Sequence, residues 1–462
     1  MTTLTSKAAP ATTTAKPAAS QPAPPIATRW AEQALARAQS AREGAWALER
    51  RRAAAATLAT LDLPRRDDEL WRRTDFGTLQ QSLDTLQPFT QPPPARNIDD
   101  LPAALIERLA GEAARVGMVV QRDNTVVLEQ THPALAKQGV TVCSFDRATR
   151  EHAPLVESHF GSLLHDDYDW YAALGSTLRQ GGAFVHVPKG IKAELPVRVF
   201  HWLDGAGRLV APRSLIVLDE GAELTIIEEQ LSETVENASL HAGGVEVFVG
   251  PNARLFYAQI QDWGRNVFHY GNIRAHVARD AELQWMQVMV GGRMTKANAY
   301  FNLAGQGARA FVNGFMFGDG RQHFHLHTLQ RHLEPHGTSD LLIKCCLKDR
   351  ARSVYQGLIQ VAEGAQRTDA YQANRNLLLS DLARADSIPG LEILANDVRC
   401  THGATLGYVE PEHLYYLMAR GLPRGDAQRL IVEAFFEPVI GRIPLETVRE
   451  RLRGEIERKL DR

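Results

Sequence analysis

The sequence predicts a mainly β protein built as a solenoid, with a helical region before it and a helical domain after it. Three observations carry that reading. From Gly181-Gly182 onward apolar residues alternate with period two, as in Val197, Val199; Leu215, Val217; Val245, Val247, Val249; and Ile273, Ala275, Val277. Between these runs a turn element recurs: GAEL at 221–224, NARL at 252–255, DAEL at 280–283 and GARA at 307–310. Its alanines fall at 222, 253, 281 and 308, spacings of 31, 28 and 27 residues, the signature of stacked coils. From Glu410 the period changes to that of helices. An antiparallel sandwich whose hairpins share similar turns fits the same pattern less well. The looser copies RARS (350–353), GAQR (364–367) and LARA (382–385) come at irregular spacing.

Taken in order, residues 1–26 are rich in Ala, Thr and Pro and lack both an apolar core and an arginine. They predict a disordered tail rather than a secretory or transit signal. Residues 27–180 form an N-terminal helical or α/β region. Ala27 to Leu61 is made of strong helix formers and ends at Leu63-Pro64. PRRDDELWRRTDFGTL (64–79) is polar, with Trp71 and Phe76 as anchors, and QPFTQPPPARN (87–97) breaks structure. A helix near 101–114, strands within 117–128 and a helix around 155–180 follow. The solenoid occupies 181–408. The domain 409–462 holds three helices: one opened by Glu410-Pro411 and stopped at Gly421-Leu422-Pro423, one carrying Leu430 and Ile431, and one with Val448, Leu452, Ile456 and Leu460 at i+4 spacing.

The bulk numbers exclude several classes. A formal net charge of -2 gives no case for nucleic acid or an anionic membrane. No apolar run approaches the roughly 18 residues of a membrane span. Four cysteines without a CxxC fit reduced thiols in a cytoplasmic protein better than a disulfide framework. There is no GxxxxGK[ST], HExxH, GxSxG or strand-to-helix GxGxxG, so the chain is not marked as an enzyme and any nucleotide-driven step belongs to another protein.

Two clusters carry metal-binding chemistry. Within IPGLEILANDVRCTHGATLG (388–407), Cys400 and His402 stand two apart. On a strand they share a face, roughly 6.6 Å apart. A thiolate and an imidazole suit iron, zinc or copper, but two ligands leave a site open. The competing reading is a packed thiol beside a hydrogen-bonded histidine. QHFHLHT (322–328) places His323, His325 and His327 on one strand face, with His332, Glu334 and His336 nearby. A cupin-type metal enzyme uses such a pair followed by Glu, though here the Glu comes late and no second half follows. A structural or interfacial role is the plainer reading. Cys345 and Cys346 are adjacent and, on a strand, face opposite ways.

NRNLLLSDLARADSIPGLEILANDVRCTHGATLGYVEPEHLYYLMARG (374–421) closely resembles the C-terminal signature of the SufB/SufD family of iron–sulfur cluster assembly proteins. Residues 327–381 look like the family's preceding coils, and LPRRDDELWRRTDFGTL (63–79) is similar to the N-terminal motif of its SufD branch. The HGAT that follows Cys400 matches that branch too. The resemblance implies a right-handed parallel β-helix and a non-catalytic subunit. It also implies pairing with SufB through the last strands and docking of the SufC ATPase on the C-terminal helices, so that removing 423–462 abolishes SufC binding and leaves the solenoid folded. His402, with Cys400 as the weaker partner, is then an iron or cluster ligand completed by SufB. The cargo is a transient iron or iron–sulfur cluster, fed indirectly by a cysteine desulfurase system. A reduced flavin belongs to some members, and no residue here places it. Besides the cupin-type alternative, a β-helical polysaccharide-active enzyme shares the fold, but this chain lacks the acidic clusters of one.

Overall fold

The computed structural model describes residues 25–109 and 116–461. The expected disordered tail lies, up to residue 24, outside the described residues. The Ala-rich N-terminal stretch is two helices, α1 (Pro25–Ser40) and α2 (Ala45–Thr60). Arg42 between them takes a left-handed φ of 54°, which ends the first. Next come α3 (Gly77–Gln80) and α4 (Ala103–Leu109); the remainder of the helix expected to 114 falls outside the described residues after 109. The antiparallel pair β1 (Gly117–Arg122) and β2 (Thr125–Gln130) precedes α5 (Pro133–Lys137), β3 (Thr141–Ser144) and α6 (Phe145–Glu151). The single helix expected at 155–180 is two, α7 (Ala153–His159) and α8 (Trp170–Leu178). Gly161, at φ 73°, turns the chain out of the first, and Asp169 caps the second by accepting from the Ala172 amide.

The strands β4 (Ala183–Val187), β5 (Val197–Leu203), β6 (Leu209–Val210) and β7 (Arg213–Leu218) open the solenoid. Thirteen longer strands continue it: β8 (Glu223–Ser232), β9 (Ser239–Val249), β10 (Arg254–Asp262), β11 (Val267–Val277), β12 (Glu282–Met289), β13 (Met294–Leu303), β14 (Arg309–Gly318), β15 (His323–His332), β16 (Thr338–Leu347), β17 (Arg352–Val361), β18 (Asp369–Leu378), β19 (Arg384–Ile393) and β20 (Arg399–Tyr408). From β8 the even strands stack in one sheet and the odd strands in the other, so each coil contributes one strand to each wall. All these pairs are parallel, which rules out the antiparallel sandwich; the antiparallel pairs are β1–β2 and β3–β4 at the start.

The corner before each even strand explains the turn element. Gly221, Asn252, Asp280 and Gly307 all have left-handed φ, between 55° and 70°, which Gly, Asn and Asp adopt at least cost. The alanine after each is buried between the sheets, where the bend leaves room for little more than a methyl group. Later coils keep the corner and change the residues. His336 (φ 61°) precedes Gly337 and Arg367 (φ 59°) precedes Thr368. Ala351 and Ala383 instead precede strands of the odd sheet, β17 and β19. The irregular late spacing of the copies therefore mixes corners from two walls, while the coil itself stays regular.

Period two is enforced by this architecture: one face of each strand enters the core between the sheets and the other faces outward. The outer face of the even sheet is apolar, with Ile260, Met286, Val288, Phe315 and Phe317 buried. Three C-terminal helices follow it: α9 (Pro411–Ala419), α10 (Arg424–Ile440) and α11 (Glu446–Asp461). The last two cover that face through Val432, Phe436, Val439, Leu452 and Ile456. The buried Lys459 ammonium donates to the Phe317 carbonyl and to Asp319. Removing residues 423–462 would therefore bare an apolar wall of the solenoid. The odd sheet is covered by α8 and the 64–80 segment, with Trp71 stacked on Tyr270 at 5.7 Å between ring centroids.

Phe436 is fully buried, its ring 4.8 Å from that of Phe315. Phe436→Ala is expected to cost about 3–5 kcal/mol through lost transfer energy and the cavity left behind. Urea unfolding of the full chain measures it.

Candidate functional site at the open end of the solenoid

In a parallel stack each side chain sits over its register partner in the previous coil. Cys400 lies over Ala370, and His402 over Gln372. Both continue rows that point into the core in earlier coils, Ser339–Ala370–Cys400 and Leu341–Gln372–His402. Strands β19 and β20 end the two sheets, and among the described residues nothing covers them. The row that is buried at Leu341 and Gln372 thus surfaces at His402, which is exposed. Cys400 is half-buried against Ile359, Val361, Ala365 and Ala395. Burial, and then the Asp369 carboxylate, push its thiol pKa up, which favours the protonated thiol unless a cation replaces the proton.

Beneath His402 the interior is polar. Gln372 is fully buried with neither amide atom hydrogen-bonded, and the Tyr355 hydroxyl shares a 3.0 Å hydrogen bond with Thr328. Around the pair the end coil exposes Leu391, Ile393, Leu394, Leu406 and Tyr408, the last two 58% and 54% exposed. Apolar side chains at an unpaired sheet edge mark a surface that another chain completes. Among the described residues no three His, Cys, Asp or Glu side chains group to hold a metal ion. Cys400 and His402 are together, and alone.

The other histidines sit differently. His323, His325 and His327 share the outer face of β15, while His332, on the inner face, bonds Ser339 at 2.9 Å. His325 Nδ1 bonds the Thr74 hydroxyl, and His327 Nδ1 bonds the Tyr300 hydroxyl at 3.0 Å. The Lys296 ammonium lies 3.5 Å from His325 Nδ1 and donates to the Leu70 carbonyl. A fixed ammonium in the middle of the row opposes a metal cation there. The row anchors the 64–80 segment to the sheet. Cys345 and Cys346 face opposite ways as expected, the first into the core and the second under α10 and α11. Sequence reasoning missed Gln372 and the apolar rim; the register of β18 with β20 reveals the first, and the absence of a further coil reveals the second.

Fold and site together make this a parallel β-solenoid whose last coil is left open, with an apolar rim around a thiol and an imidazole on one strand face. Residues 201–435 match the family described as "SUF system FeS cluster assembly, SufBD core domain", and 36–199 match the "SufBD protein N-terminal region". The chain belongs to the SufB/SufD family of iron–sulfur cluster assembly proteins. It is 30% identical to the SufD of Bacillus subtilis over 79% of this chain and 85% of that protein. It is 28% identical to the SufB of the same organism over 71% of each. A SufBD family protein of Staphylococcus aureus (strain MRSA252) is likewise 28% identical over 71% of each.

The buried histidine row sets a pH dependence. Burial, reinforced by nearby cations, holds His323 at about 4 and His327 at about 3, against roughly 6.5 in an unfolded chain. The unfolded state therefore takes up protons that the folded state refuses. This stability is complete above about pH 6.5 and is lost progressively as the pH falls through about 4 for His323 and about 3 for His327. Urea midpoints are expected to drop between pH 7.5 and 5, and to drop less in His327→Gln.

Proposed function

We propose that this chain takes the SufD role in an iron–sulfur cluster assembly scaffold. It pairs with a SufB subunit through its uncovered end coil and offers His402, with Cys400 as the weaker donor, as half of an iron or nascent-cluster site. The observation that carries the reading is the emergence of Cys400 and His402 from the core rows at the one solenoid end left open by the described residues. The HGAT after Cys400 and the likeness to the Bacillus SufD support the SufD branch. A soft thiolate and a borderline imidazole fit iron in a sulfur-rich environment. The remaining ligands come from the partner, so the cluster exists only while the two are docked and leaves when they part. Iron and cluster are here cargo, not resident cofactors.

The SufC ATPase docks on the C-terminal helices in this reading. There α9 and the start of α10 expose Tyr415 (74%), Tyr416 (58%), Met418 and Leu430, aromatic and aliphatic side chains suited to the core of an interface. ATP-driven movement of SufC then opens and closes the shared site.

His402→Ala is expected to leave melting temperature and SufB binding unchanged. Cluster formation in cells lacking the wild-type gene should fall at least the roughly ten-fold that loss of a metal-supporting side chain costs. Normal cluster content would refute the ligand role. Tyr415→Asp with Tyr416→Asp is expected to abolish recovery of the SufC ATPase with the tagged chain while SufB is retained; undiminished recovery places that contact elsewhere.

A further inference from the structure

An arginine-lined cleft lies on the outer face of the odd sheet, where it meets the N-terminal segment. Arg66, Arg72 and Arg73 come from the segment; Arg321, Arg350, Arg352 and Arg384 come from successive coils. The cleft has a volume of about 590 Å³ and no lysine in its lining. Its two carboxylates are already committed: Asp75 lies 3.6 Å from Arg66, and Asp386 lies 3.0 Å from Arg384. Arg72, Arg73, Arg321, Arg350 and Arg352 have no carboxylate within ion-pair distance among the described residues. In a chain of net charge -2 this is a strong local excess of positive charge.

The placement opposes stability and so asks for a reason. Arg352 and Arg384 are register partners in adjacent coils, held roughly 4.8 Å apart at the backbone by the strand spacing. Arg350 donates its amide to the Gly320 carbonyl, which stacks its corner on that of Arg321. Like charges piled this way repel unless an anion lies between them. The floor holds His323, whose Nε2 is buried without a hydrogen-bond partner. The segment wall is fixed at Trp71 by its stack on Tyr270, and at Thr74 by His325. The cleft is therefore preformed.

We infer that this cleft binds a small anion carrying at least two linked phosphates. Guanidinium forks, unlike ammonium groups, grip phosphate oxygens in pairs. A volume of this size holds a nucleotide-sized molecule rather than an extended chain. Five uncommitted arginines exceed what one phosphate needs. The inference does not depend on Cys400 and His402, which lie on β20 in the even sheet, while the cleft opens on the odd sheet.

The test is calorimetric titration of the full chain with inorganic pyrophosphate, orthophosphate and ADP in turn. Pyrophosphate is expected to bind saturably, one per chain, and more tightly than orthophosphate. Binding should weaken at least ten-fold in Arg350→Gln with Arg352→Gln. It should be unchanged in Arg279→Gln, an exposed arginine already paired with Asp280 at 2.9 Å. Both variants alter exposed side chains, and equal melting temperatures verify their folding. ADP binding more tightly than pyrophosphate identifies a nucleotide as the source of the phosphates; equal binding identifies the free anion. No saturable pyrophosphate binding, or binding indifferent to the double variant, overturns the inference. So does an oligonucleotide or acidic peptide that pyrophosphate fails to displace from the cleft.

Discussion

The backbone ladder between successive coils governs everything else in this molecule. Each strand satisfies its amides and carbonyls on the strand one coil before and the strand one coil after. That demands a corner of fixed geometry before each even strand, every 27 to 31 residues from Gly221 to Arg367, and it demands it whatever side chains the corner carries. Left-handed backbone recurs from Gly221 to Arg367, although Gly, Asn, Asp, His and Arg take turns supplying it. A ladder of this kind has no internal reason to stop. Wherever it does stop, it leaves one edge of hydrogen-bonding groups and one open core. The exposure of His402, and the partial exposure of Cys400, is a consequence of that ending.

The flanks of the solenoid are fastened by charge as well as by apolar packing. Glu229 on β8 is wholly buried and faces Arg108 from α4 at 3.2 Å, Arg451 from α11 at 2.7 Å, and Arg198 from β5. Burial pushes its pKa up, but the three guanidinium groups outweigh that and hold the carboxyl below its usual range. Such a cluster is poor at adding net stability and costly to break. It ties the N-terminal region, an early coil and the last helix to one point. The C-terminal helices are thereby part of the same cooperative body as the sheets they cover.

Much of this was legible in the sequence, for stated reasons. The alternation of Val245, Val247 and Val249 is forced by a wall one residue thick, and the turn alanines by a bend with room for a methyl group. That Cys400 and His402 lie side by side was legible because i and i+2 on a strand share a face. What was not legible depended on register between coils. Nothing in the local sequence of Gln372 announces that it lies beneath His402, and the later corners hid because His336-Gly337 and Arg367-Thr368 keep the geometry without the alanine. The histidines of β15 invited a metal reading because the sequence shows them without Thr74, Lys296 and Tyr300. Their partners lie up to 251 residues away.

That last separation has a kinetic meaning. A simple stack grows by adding one coil to its neighbour, and each addition closes only a short loop. The segment around Trp71 and Thr74 leaves the ribosome early, yet its seat is built from β11, β13 and β15. Until about residue 330 has been made, Trp71 has no finished place to go, and its apolar ring must wait in a partly assembled chain. Once seated, the segment spans three coils and couples them. Fraying from one end then has to lift a strap that also grips the middle, which turns a sequence of small openings into one large one.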